Sequence, residues 1–133
     1  MASLDDVRRL ALSLPETRED TDRRGLASWR VKDKLFVWER PLGSSDLKAL
    51  GDAAPDGVIL GARVPDEGAK HALIAAEPGI YFTTPHFNGY PAVLVRVGEI
   101  ADDEREELVV EAWRNRAPPK VAAAYIAEGN TGG

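Results

Sequence analysis

A chain of 133 residues, 44% apolar and 29% charged, suits one soluble domain with a core of its own. It has no cysteine, which excludes disulfides, thiolate metal sites, iron–sulfur clusters and cysteine nucleophiles. No apolar run approaches the ~20 residues of a membrane helix, and no basic segment followed by an apolar core marks a secretory signal, so a cytoplasmic location is expected.

Net charge is −5, whereas a non-specific nucleic-acid binder usually has a basic balance. The charge is nonetheless segregated. Arg23 to Lys34 carries five bases and one acid, and Glu99 to Glu111 carries seven acids and one arginine.

Taken in order, Ser3 is placed to cap a first helix with Asp5 and Asp6 in its first turn. Leu4, Val7, Leu10, Ala11 and Leu14 recur at helical spacing, and Pro15 stops the pattern. Arg8 and Arg9 lie off that stripe, on a solvated face. Glu16 to Gly25 has no apolar residue and reads as an edge strand or a loop. Ala27, Trp29 and Val31 alternate with Ser28, Arg30 and Lys32, the pattern of a half-buried strand. Lys32–Asp33–Lys34 makes a tight turn. Leu35 to Trp38 is apolar on both faces and so belongs near the middle of a sheet.

Pro41 ends that strand. Leu42 to Asp56 is read as a mobile loop with a helical turn at Asp46 to Leu50. Val58 to Val64 is a third strand, in which Gly61 signals a bulge or a close backbone approach. Pro65 is expected in the first turn of the next helix, whose buried face is Ala69, Ala72, Leu73 and Ala76. Ile80 to Phe82 and Val93 to Val97 are further strands. Asp102 is expected to cap a long helix that buries Leu108, Val109, Ala112 and Trp113. Pro118–Pro119 breaks it, and Val121 to Ala127 forms a short last helix. Short connections favour antiparallel pairing. The expected fold is α+β: a two-layer domain over residues 1–128 with helices packed on one face of an antiparallel sheet, then a flexible tail at 129–133.

With these residues in view, the chain resembles the MmcQ/YjbR family. The resemblance rests on Leu12–Ser13–Leu14–Pro15–Glu16, on Trp29–Arg30–Val31 followed by Lys34–Leu35–Phe36, on Phe82 through Val95, and on Glu111–Ala112–Trp113–Arg114 with Ala117–Pro118 and Lys120. It implies a compact fold like that of frataxin and CyaY proteins. Members are commonly described as predicted DNA-binding proteins, after a double-wing arrangement of hairpins.

Two constellations stand out. Arg23, Arg24, Arg30, Lys32 and Lys34 cluster on a strand pair and its tip. They suit either a wing that touches DNA phosphates, weakly and with salt sensitivity, or a charged edge that discourages sheet-to-sheet pairing. Thr83, Thr84, His86, Asn88 and Tyr90, with Arg96 and Trp113, suit a loop that meets a small molecule or a protein. Thr83 and Asn88 also suit a turn that bonds its own backbone, and Gly89 is expected at positive φ. His71 and His86 lie far apart with no metal-ligand spacing, so neither metal nor cofactor is expected. Trp29, Trp38 and Trp113 suit stacking on bases, as in single-strand binders, but all three sit in apolar patterns and are read as core, Trp113 with some exposure. With no Walker, Rossmann or nucleophile-elbow motif, a non-enzymatic monomer is expected.

Overall fold

The structure is a computed structural model and describes residues 4–51 and 57–127. Ser3, part of the expected mobile loop and the 129–133 tail lie outside the described residues. Six strands form one antiparallel sheet in the order β1-β2-β3-β4-β6-β5. They are β1 (Thr17–Thr21), β2 (Ala27–Val31), β3 (Lys34–Glu39), β4 (Ile59–Arg63), β5 (Tyr81–Phe82) and β6 (Ala92–Arg96). The helices are α1 (Leu4–Ser13), α2 (Ser44–Leu50), α3 (Glu67–Ala76), α4 (Asp102–Arg116) and α5 (Pro119–Ala127). The fold is thus the expected α+β arrangement, and β3 lies inside the sheet between β2 and β4.

Alternation along the strands separates two apolar clusters. Trp29, Val31, Val37, Leu60, Ala62, Val93 and Val95 join Val7 and Ala11 of α1 and Leu108, Val109, Ala112 and Trp113 of α4 in the main core. On the opposite face, Ile59, Phe82, Phe87, Ala92 and Leu94 form a smaller cluster, against which Trp38, Leu42 and Leu50 pack. That second face is only partly covered, by α2 and the Pro85–Phe87 turn.

Polar anchors fix the first layer. Glu19 accepts hydrogen bonds from Arg8 Nε at 2.7 Å and Trp29 Nε1 at 2.9 Å, tying α1, β1 and β2 together. Arg8 is therefore engaged rather than free on a solvated face. The segment from Glu16 to Gly25 supplies the edge strand β1, which is wholly polar, as suits an edge that must not pair with another sheet. The β2–β3 turn has Lys32 and Asp33 at φ 48° and 71°, the handedness that two-residue hairpins favour.

Several expectations are corrected. Pro65 lies outside the first turn of α3: Asp66 caps the helix, its side chain accepting from the Ala69 N–H at 2.8 Å, and Pro65 precedes that cap. Ala72 and Ala76 are exposed, while Lys70 of the same helix is buried. Ala69 and Leu73 pack on the core as expected, but Ile74 and Lys70 complete that face in place of Ala72 and Ala76. Asp102 is the first residue of α4, not its cap. Ala101 holds the cap position, and the Asp102 carboxylate bonds Arg105 at 2.9 Å.

Candidate functional site

The less covered face of the sheet carries a groove. Its first depression, about 300 Å³, is lined by Asp22, Arg24, Ser28, Arg30, Glu39 and their neighbours. Its second, about 530 Å³, is lined by His86, Phe87, Asn88, Gly89 and Tyr90. Leu35, Trp38 and Arg40 line both, so the two are continuous. Members of both sequence constellations thus meet on one surface.

Phe87 is the hub of the aromatic half. Its ring lies 5.0 Å from His86 edge-on, 6.1 Å from Tyr90 and 6.4 Å from Trp38, with the Arg40 guanidinium 5.4 Å above it. Phe87 is buried, whereas His86, Asn88 and Tyr90 are exposed. Arg63 lies 4.8 Å over the Tyr90 ring and donates to its hydroxyl at 2.7 Å, which fixes the ring's orientation. Gly89 takes φ 77°, as expected of a turn glycine.

Two buried polar residues hold this loop. Lys70 reaches from α3 and donates to the Phe87 carbonyl at 2.6 Å and the Tyr90 carbonyl at 3.1 Å. Asp46, buried in α2, accepts from the Gly43 N–H at 3.0 Å and pairs with Arg40 at 3.1 Å. Burial pushes the Asp46 carboxyl up, but the Gly43 N–H, the Arg40 charge and Thr84 outweigh it and leave the group below its ordinary range. Because the folded-state value is depressed, the stabilisation is complete above the ordinary carboxylate range and is lost as pH falls through the lowered value. We therefore expect Asp46→Ala to cost about 2 kcal/mol at neutral pH. Urea melts should show that difference shrinking at acidic pH; a difference that grows there would contradict this role.

The constellations are only partly brought together. Arg24 and Arg30 line the groove; Arg23, Lys32 and Lys34 do not. Arg23 and Arg24 lie in the β1–β2 connection and Lys32 in the β2–β3 turn, separated by the length of β2, about 17 Å. Lys34 pairs with Val31, whose side chain is in the main core, so it shares a sheet face with Val31 and not with Arg30. Moreover, Arg30 pairs with Asp20 at 3.2 Å, Lys32 with Glu16 at 3.3 Å and Arg24 with Asp22 at 3.7 Å. Arg18 likewise pairs with Asp33, whose carboxyl it holds below the ordinary value.

In the second set, His86, Asn88 and Tyr90 line the groove, Thr83 is half-buried and Thr84 is buried. Arg96 ends β6 opposite Ile59 of β4, with its guanidinium 5.6 Å from the Phe82 ring, and does not line the groove. Trp113 is 0% exposed; its indole donates to the Pro15 carbonyl at 3.0 Å and stacks edge-on with Tyr125. The expected partial exposure of Trp113, and a place for it in an open site, are both corrected.

Sequence reasoning weighs Trp38 as a stacking residue but ranks it as core, and it does not single out Arg40, Phe87, Arg63 or Lys70. One signal pointed toward Trp38. Gly61 had been flagged for a close approach, and a Cβ there would lie 2.3 Å from the Trp38 ring. The indole is seated on the glycine. Among the described residues no group of three His, Asp or Glu side chains is placed to hold a metal ion, and no helix is long and apolar enough to cross a membrane.

A six-stranded antiparallel sheet with its main helices on one face and an aromatic–arginine groove on the other defines a two-layer α+β protein. The family model for YjbR matches residues 12–115, and the chain belongs to the YjbR family. It is 53% identical over 130 residues to the uncharacterised proteins Mb2600 of Mycobacterium bovis and Rv2570 of Mycobacterium tuberculosis, covering 96% of this chain and 98% of each relative. The crystal structure of Deinococcus radiodurans protein DR2400, with family-model domain DUF419, superposes with a TM-score of 0.64 at 20% identity. That match covers 86% of this chain and 78% of DR2400 and bears on the fold alone.

Proposed function

We propose that this chain is a non-catalytic binding protein that takes a single nucleic-acid strand along the groove on its less covered sheet face. The observation that carries the reading is the convergence of Arg24 and Arg30 from the hairpin with His86, Asn88 and Tyr90 from the loop, on either side of Trp38. Aromatic rings beside guanidinium groups suit a ligand made of flat bases and phosphates. Bases stack on His86, Tyr90 and the half-buried Trp38. Arg24 and Arg30 meet phosphates, and the Asn88 amide is free to read a base edge.

Two arguments favour a single strand over a duplex. Exposed rings are useful only to bases that are not already stacked. A duplex also asks for an array of free cations, and here the hairpin cations Arg18, Arg24, Arg30 and Lys32 sit beside carboxylates. Phosphate must compete with Asp20 and Asp22 for the two groove arginines. A non-catalytic role is proposed because His86, among the described residues, has the Phe87 ring as its neighbour and no hydrogen-bonded carboxylate or hydroxyl that would make it a general base.

Fluorescence anisotropy with labelled single-stranded and duplex DNA of one sequence tests this. The single strand is expected to bind more tightly. With about two phosphates neutralised, log K should fall against log salt with a slope of roughly −1.4. Tyr90→Ala should weaken binding about tenfold, within the stacking range of roughly 1–3 kcal/mol per base. Tighter duplex binding with a steep salt slope would return the reading to a phosphate-contacting wing. Binding of mononucleotides but not oligonucleotides would favour a small-molecule site, since both depressions approach the roughly 300–1,000 Å³ typical of one.

A further inference from the structure

On the helical side of the sheet a second cleft, about 610 Å³, opens between α3 and α4. Its floor is apolar: Val64, Ala69, Leu73 and Leu108. Its rim carries Glu77, Asp103, Glu104, Glu107 and Glu111, so the acid run seen in the sequence is concentrated at this opening. We propose that the cleft is a second binding site, independent of the groove, for a small organic cation: an ammonium carried on an apolar body.

The occupant is argued from charge and shape together. The volume falls in the size range of small-ligand sites, and an apolar floor selects an apolar body. Within the cleft, Tyr81 donates its hydroxyl to Glu104 Oε2 at 2.7 Å, which orients that carboxylate. Glu77 lies against Glu104, and a hydrogen bond between the two carboxyls, with burial and the neighbouring charge adding to it, raises the Glu77 carboxyl above its ordinary range. A cation between them takes the place of the shared proton and is held by both carboxylates, whereas an anion adds to their charge. Two of the other rim acids have partners of their own, since Asp103 accepts from the Glu104 N–H and Glu111 pairs with Arg114, while Glu107 adds to the negative charge of the rim. At the far end Arg63 is held on Tyr90, so the cleft is polarised with its acceptor end at Glu77 and Glu104.

The test uses 2-phenylethylamine as the probe, with 2-phenylethanol as its uncharged counterpart and phenylacetate as an anion, followed by NMR. The amine is expected to shift the Leu73 and Leu108 methyl signals and to bind about tenfold more tightly than the alcohol, as one added ion pair of roughly 1.4 kcal/mol requires. Glu77→Gln/Glu104→Gln should abolish the difference between amine and alcohol while keeping the Tyr81 acceptor. Ala72→Trp, which fills the cleft from an exposed position on its lining, should remove binding of both. Equal affinity for amine and alcohol, shifts confined to the groove around Trp38, or no shift with the amine would each overturn the proposal.

Discussion

Lys70→Ala is expected to destabilise the protein by about 3 kcal/mol and to loosen the aromatic loop it holds. The side chain is 1% exposed, and its ammonium donates to the carbonyls of Phe87 and Tyr90. Truncation leaves two loop carbonyls short of a donor and opens a void where the aliphatic stem lay. Both effects act on the turn that presents His86, Asn88 and Tyr90. Lys70→Met separates them. It fills the space but supplies no donor, so it should recover part of the stability and leave the loop loose. Denaturant melts give the first quantity, and amide hydrogen exchange over residues 85–90 gives the second. A Met variant with exchange as slow as the parent would show that packing, not the two hydrogen bonds, holds the loop.

Gly61→Ala is expected to displace Trp38. The new methyl would lie 2.3 to 2.7 Å from three atoms of the indole, far inside van der Waals contact. The β4 backbone, paired to β3 on one side and β6 on the other, has little freedom to yield, so the ring must leave its seat. Overpacking of this kind costs about 2 kcal/mol. Its functional effect should be larger, because Trp38 joins the two halves of the groove. Oligonucleotide affinity should fall at least as far as with Tyr90→Ala, and the Trp38 fluorescence should move toward that of a solvated indole. A variant that binds as well as the parent would show that the seat on Gly61 does not matter to the groove.

The fold was legible because its signals are local. The alternation in Ala27 to Val31, the doubly apolar β3 and the helical stripe ending at Trp113 each specify one element and one buried face. The groove was harder to read because it is assembled by pairing. Arg30 is brought alongside Leu35, and Trp38 alongside Gly61, only once β2, β3 and β4 are in register. Lys70 was hidden for another reason: a lysine on a helix reads as solvated unless its acceptors, here two carbonyls from a distant turn, are known. The bases Arg24, Arg30 and Lys32 are visible in the sequence but their neutralisation is not, since the carboxylates that pair with them come from β1 and its flanking turns. Trp113 was misjudged because α5 folds back and lays Tyr125 against it.

A single nucleic-acid strand bound along the proposed groove must lie against Trp38. The three tryptophans allow one direct measurement, a titration of the indole N–H signals of nitrogen-15-labelled protein with a single-stranded oligonucleotide. Trp29 and Trp113 are fully buried, with their indole N–H groups bonded to Glu19 and Pro15. Only Trp38 lines the groove. The Trp38 signal is expected to shift saturably while the other two stay in place. A Trp38 signal that does not move at concentrations where anisotropy reports binding would contradict binding along the groove.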